Sequence, residues 1–246
     1  PHLERLIGVV PFGLPGVDPI HSRPVLKGVV PGIEAEDQVI IWSGGVYDWF
    51  DPLTLIRAVA KLSATKPSVK LFFMGTAHPH PGVPEMPIVK ASRDLAEELG
   101  VAGKQVFFND SWVDYDDRQN YLLEADVGVS THRSHIETTF SFRTRILDYL
   151  WASLPMVVTE GDHFADEVDR HGLGKTVPAG DVDALVAALD VALFDDKFRG
   201  RAIKALRGVR EHYRWGTVLE PLVTHVAGIA DGSITKSTSK PVRYSP

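Results

Sequence analysis

The chain has 246 residues, 44% of them apolar and 24% charged, with a net charge of −6 and no cysteine. That length buries a full core as one domain, and the composition is that of a folded globular protein, not a disordered, collagen-like or coiled-coil one. The missing cysteines exclude disulfide scaffolds, thiolate zinc sites and cysteine nucleophiles. No apolar run reaches the ~20 residues of a membrane span, no signal segment opens the sequence, and the acidic balance speaks against wrapping a nucleic-acid backbone. A soluble, cytoplasmic protein without an integral membrane segment is expected, with peripheral membrane attachment left open for a longer protein.

The first 37 residues hold six prolines and five glycines, which is the chemistry of a linker or lead-in segment. The chain opens on Pro1, so it reads as the C-terminal part of something larger. The regular pattern begins at Gln38. An apolar run at 39–42 ends in Ser43-Gly44-Gly45, and Asp51-Pro52 opens a helix as N-cap and first-turn proline, with Leu55, Ile56, Val59 and Leu62 on one face. A second strand is expected at 69–74, a helix at 92–99, a short strand at 106–108 and a short helix at 117–124. A strand at 126–130, a helix at 143–152, a strand at 156–159 and an edge at 173–177 follow. Asp181 caps a helix through Leu193, and two more helices fit 197–212 and 217–229. The tail from Asp231 is rich in Ser, Thr and Lys and is expected to be mobile.

Short continuous apolar strands separated by helices predict a doubly wound parallel sheet, an α/β Rossmann-like domain over 38–230. Ligands of such sheets sit beyond the carboxyl ends of the strands. The loops to inspect are therefore 43–51, 75–79, 109–116, 131–144 and 160–164.

Gly44 and Gly45 permit close backbone approach to a ligand, and Tyr47, Trp49 and Asp51 follow in the same loop. The alternative is a plain strand-to-helix turn, and no dinucleotide fingerprint is present. Gly174-Lys175-Thr176 imitates the end of a P-loop, but Asp169 stands where the required glycine belongs. Asp114-x-Asp116 and Asp181-x-Asp183 have a metal-chelating form, yet each precedes a helix where acids serve as caps. His132, His135 and Glu137 suggest a metal cluster without a fixed geometry, and His78 and His80 sit in the loop after the second strand. No metal or cofactor is expected.

The strongest stretch runs from Glu137 to Pro155. A hydroxyl-rich loop leads into a helix whose first turn carries Arg143 and Arg145, cations misplaced with respect to the helix dipole. Free N–H groups, hydroxyls and a guanidinium make a diphosphate site, and Thr144 and Asp148 share one face, so Asp148 is placed for ribose hydroxyls. The competing reading pairs Arg145 with Asp148 on the surface.

In order and spacing, the Gly-Gly loop, the strand ending in Gly75, Trp112-Val113 and the segment Asp148 to Thr159 resemble the C-terminal, donor-binding domain of GT-B retaining glycosyltransferases of family 4. The opening 7–14 resembles that family's interdomain linker, 172–181 its Gly-rich edge, and Trp215 the tryptophan near its last helix. The resemblance implies metal-independent retaining glycosyl transfer from a nucleotide-diphosphate sugar, in glycan or glycolipid biosynthesis. It implies an acceptor held by a further N-terminal domain. It also implies catalytic roles for Glu137 and Arg143, and donor contacts from Gly44, Gly45, Tyr47, Trp112, Val113, Phe140, Ser141, Thr144 and Asp148. The family's first glutamate falls on Phe140, with Glu137 three residues early, and its second becomes Asp148. Its Arg/Lys pair after the glycine loop is replaced by Tyr47, Trp49 and Asp51, so Arg143 is expected to supply the phosphate charge. A non-catalytic nucleotide-sugar-binding module or a GT-B-like nucleotide-sugar epimerase is the alternative.

Overall fold

The computed structural model of the chain describes residues 8–77, 80 and 82–232. Six strands form one parallel sheet: β1 (Gln38–Gly45), β2 (Val69–Gly75), β3 (Val106–Phe108), β4 (Val127–Ser130), β5 (Met156–Thr159) and β6 (Gly174–Val177), in the order β3-β2-β1-β4-β5-β6. The connecting helices are α1 (Pro52–Ser63), α2 (Pro87–Glu98), α3 (Arg118–Glu124), α4 (Ile136–Thr139), α5 (Thr144–Ala152) and α6 (His163–His171). Then come α7 (Val182–Phe194), α8 (Asp196–Val209), α9 (Trp215–Val218) and α10 (Glu220–Ala230). The doubly wound Rossmann-like sheet expected from the sequence is present. Its strand order reverses between β1 and β4, and a crevice opens at that switch point.

Alternate side chains of β1 feed the two layers of the core. Ile40 and Trp42 pack with α1, α2 and α7, while Val39 and Ile41 pack with α5 and α6. Both faces are buried, which is why the strand reads as an unbroken apolar run. Asp51 caps α1 by accepting from the Thr54 N–H at 3.1 Å, and Asp181 caps α7 through the Ala184 N–H at 2.9 Å. The Asp-x-Asp pair at Asp181 thus serves a helix start, and its Asp183 pairs with Lys61.

Several helices differ from the sequence expectation: α4 lies in the loop 131–144, and the helix expected at 217–229 is two, α9 and α10. Helix α2 begins at Pro87, five residues ahead of the expected start, because proline at N1 supplies a preset φ. Helix α6 starts inside the loop 160–164 and runs through residues to which the sequence assigns no element; Asp162 caps it through the Ala165 N–H at 2.8 Å, and Gly172 ends it at φ 64°. The 174–176 imitation of a P-loop is strand β6. Gly174 lies so close to β5 that a Cβ there would stand 1.9 Å from the Met156 carbonyl oxygen, so close pairing rather than phosphate binding demands the glycine.

The Pro/Gly-rich segment 8–37 forms no helix, yet it packs on the domain. Leu14, Val25, Leu26 and Ile33 are buried in the core, and the Glu124 carboxylate accepts from the Val25, Leu26 and Lys27 N–H groups at 2.7–2.9 Å. The expected mobile tail lies outside the described residues, apart from Asp231 and Gly232, as does His78. Among the described residues no helix is long and apolar enough to cross a membrane.

Candidate functional site

Tyr149 fixes the geometry of the switch point. Its ring lies against β4 where Gly128 leaves room; a Cβ on Gly128 would come within 2.7 Å of it. The buried hydroxyl sits 2.8 Å from the Val129 carbonyl and 3.1 Å from the Ile41 carbonyl, and accepts from the Ser43 N–H at 3.2 Å. One side chain thereby joins α5 to both β1 and β4 and aims the start of α5 at the end of β1. Among the described residues no side chain caps α5, and its first backbone bond runs from the Ile146 N–H to the Arg143 carbonyl. The Thr144 and Arg145 amides therefore have no acceptor within the helix.

In front of this helix start is a cavity of about 440 Å³ whose walls include Gly44, Gly45, Tyr47, Glu137, Ser141, Arg143, Thr144 and Asp148. A second cavity, of about 260 Å³, is bounded by Trp112, Val113, Gly75 and Thr76, and shares Gly44, Gly45 and Tyr47 with the first. Gly44 holds φ 76° with no atom within 4 Å of a Cβ position, so the backbone is bare where the two cavities meet. Ten of the eleven residues to which the resemblance gives a catalytic or donor role line these two cavities. The exception is Phe140, which is 81% exposed and lines neither cavity; the turn of α4 carries it to solvent, and Phe142 stands in the wall instead.

The two arginines have different partners. Arg143 is not a free cation: its Nε donates to Asp162 Oδ2 at 3.2 Å, with both side chains 5% exposed. Asp162 also caps α6, so this ion pair ties the starts of α5 and α6 together. Nor does Arg145 pair with Asp148 on the surface. It is buried between the rings of Trp42 and Phe50, 4.4 and 4.2 Å from their centroids, and its Nη2 donates to the Gly45 carbonyl at 2.7 Å. Its Nη1 is buried without a hydrogen-bond partner among the described residues. Burial, reinforced by repulsion from Arg143, pushes the Arg145 pKa down to about 10.

Asp148 takes its partner from another helix, accepting from Arg118 Nε at 3.1 Å. Burial raises the Asp148 pKa, and Arg118 opposes that rise. Glu137 stands at the rim with its side chain 79% exposed, next to His135 at 3.9 Å. His132 differs from both in exposure. It is buried, with Nε2 3.7 Å from Asp162, and burial and Arg143 hold its pKa below the usual histidine value. Among the described residues no group of three or more His, Asp or Glu side chains is arranged to hold a metal ion.

Buried side-chain atoms without hydrogen-bond partners among the described residues include Ser43 Oγ in β1, Ser130 Oγ in β4, His132 Nε2 just after β4, and Arg145 Nη1, whose residue lines the larger cavity. Unsatisfied polar groups are costly in a packed interior, and such sites are where a fold keeps groups for a ligand. Sequence reasoning missed Arg118, Asp162 and the burial of Arg145. The only local signal was the misplacement of two cations at one helix start, which does not say which of them is neutralised.

Comparison with known proteins decides the family. A model of the glycosyl transferases group 1 matches residues 37–195, well over half of the chain. The chain belongs to the group 1 glycosyl transferases. No curated protein sequence matches it. Among solved structures, sucrose-phosphate synthase from Thermosynechococcus elongatus superposes with a TM-score of 0.68 at 17% identity, covering 94% of this chain and 56% of its own. The C-terminal domain of the group 1 glycosyl transferase LpcC from Francisella tularensis gives 0.62 at 17% identity, over 81% of this chain and 100% of its own. HepE from Anabaena, solved in complex with UDP-glucose, gives 0.64 at 17% identity, over 78% of this chain and 49% of its own. The fold of this group 1 chain is thus the Rossmann-like domain of GT-B glycosyltransferases, and the chain spans about half the length of HepE and of the synthase.

Proposed function

We propose that this domain binds a nucleoside-diphosphate sugar across the two joined cavities and serves as the donor side of a metal-independent, retaining glycosyl transfer. The observation that carries the reading is Arg145: a buried guanidinium with an unsatisfied Nη1, set beside uncapped helix amides and a bare glycine backbone. An anionic diphosphate supplies what this arrangement lacks, a counter-charge and hydrogen-bond acceptors. The base then lies toward Trp112 and Val113, the ribose hydroxyls toward Asp148, and the sugar toward Glu137. As the glycosidic bond loosens, negative charge grows on the leaving diphosphate, and Arg145 with the Thr144 and Arg145 amides stabilises it without reorganising. That cationic receptor is the basis for metal independence; retention of configuration follows the resemblance to family 4. HepE, solved with UDP-glucose, supports the ligand class. The acceptor, a further N-terminal domain that holds it, and a place in glycan or glycolipid synthesis belong to the same proposal.

Calorimetry with UDP, GDP and ADP, each with and without EDTA, tests the reading. One nucleoside diphosphate is expected to bind in the micromolar-to-millimolar range, unaffected by EDTA. Failure of all three to bind would overturn the donor-site assignment, and loss of binding on chelation would overturn its metal independence.

A further inference from the structure

The larger cavity has a wall that phosphate recognition does not use. Tyr47 and Trp49 stack on each other, ring centroids 4.7 Å apart and planes inclined by 12°, while remaining 39% and 54% exposed. Their loop is held from several sides. The Phe50 N–H donates to the Tyr47 carbonyl at 2.9 Å, and the Phe50 ring is buried edge-on against Trp42. The Asp51 N–H donates to the Thr131 carbonyl at 3.0 Å, and the Asp48 carboxylate accepts from the Ile88 N–H at 3.2 Å. Two large rings are thus kept in solvent contact by an ordered turn, although one residue further on the same turn buries Phe50 completely enough to fill the core.

The position of Trp49 decides what the rings face. Trp49 lines the larger cavity, which also has Glu137, His135 and Ser141 in its walls, and does not line the smaller one with Trp112 and Val113. Its surroundings therefore combine a flat apolar surface with a carboxylate, an imidazole and a hydroxyl. A neutral pyranose is the ligand with the matching two-sided chemistry: polarised C–H bonds on one face for an aromatic ring, and hydroxyls around the rim for hydrogen bonds. A phosphate has no apolar face, and a nucleobase has no need of the Glu137 carboxylate. Aromatic side chains serve such contacts at low cost, since a rigid ring loses few rotamers on binding.

We propose that Trp49, braced by Tyr47, is the platform on which the donor's sugar ring stacks, and so a residue that determines sugar affinity separately from nucleotide affinity. The inference rests on the donor-site reading above and sharpens it. The test compares UDP with UDP-glucose, GDP with GDP-mannose and ADP with ADP-glucose by calorimetry on the wild-type chain, Trp49→Ala and Trp49→Phe. In the pair that binds, Trp49→Ala is expected to weaken the sugar conjugate about fivefold, with the free nucleotide unchanged and Trp49→Phe restoring most of the loss. An unchanged conjugate affinity in Trp49→Ala overturns the platform, and so does an equal loss for conjugate and free nucleotide, which would assign the ring to the nucleotide. If none of the six compounds binds the wild-type chain, the donor-site reading falls and this inference with it.

Discussion

Replacing Arg145 with methionine separates a ligand-binding role from a structural one. Burial lowers the pKa of the guanidinium to about 10, and one pKa unit is about 1.4 kcal/mol, so holding its charge costs the folded domain about 3 kcal/mol. Because the folded pKa is the lower one, this penalty is fully present at neutral pH and is relieved only as pH rises above about 10 towards the ordinary arginine value. Against it stand a charge-assisted hydrogen bond to the Gly45 carbonyl, about 1.5–3 kcal/mol, and contacts with the Trp42 and Phe50 rings of about 0.5–1 kcal/mol each. The terms nearly cancel. Arg145→Met, which keeps the apolar packing, should therefore change stability by no more than about 1 kcal/mol, a shift of the thermal midpoint within about 4 °C. Nucleotide affinity responds differently, since the substitution removes a buried charge-assisted contact to diphosphate, a loss of about tenfold to a hundredfold. Differential scanning fluorimetry and calorimetry on the same samples check both halves. A fall in midpoint of more than about 10 °C with unchanged nucleotide affinity would show Arg145 to be structural and refute the reasoning.

Arg143→Ala should behave in the opposite sense, leaving the buried Asp162 without its arginine at a cost of about 3–5 kcal/mol, read as a lowered urea midpoint. Gly44→Ala forces a Cβ onto φ 76° at a cost of about 1 kcal/mol and places a methyl group where the two cavities meet, so nucleotide affinity should fall by more than stability does. His132 contributes a pH dependence. Its folded pKa lies below the ordinary 6.5, so the unfolded chain binds more protons in the window beneath 6.5 and stability falls there as pH drops. Urea unfolding from pH 7 to pH 5 should show this slope in the wild type and a shallower one in His132→Gln; identical slopes would refute the assignment.

Much of the architecture was legible because its determinants are local. Continuous apolar runs mark strands covered on both faces, and β1, β2, β4 and β5 follow from them. Asp51-Pro52 and Asp181 announce helix starts because a cap needs only a carboxylate and an amide three residues apart. Helix α6 carried the same signal in Asp162 and Gly172, but a short amphipathic segment between strands also reads as loop. The burial of the Pro/Gly-rich segment 8–37 left no trace, since Leu14, Val25 and Leu26 find their core neighbours only through folding.

For the site, residue type and spacing along the chain placed Gly44-Gly45 and the start of α5 at the carboxyl ends of the strands, and the structure sets Glu137, Thr144 and Asp148 in the same cavity wall. Which arginine is paired with a carboxylate was decided by the tertiary structure alone. Arg143 and Arg145 are two residues apart and equivalent in type, but Asp162 reaches Arg143 across 19 residues, while the Gly45 carbonyl meets Arg145 across 100. The physical reason is that helix propensity and capping act over a single turn. Charge compensation and desolvation depend on what the whole fold brings within a few ångströms, and no local pattern encodes that.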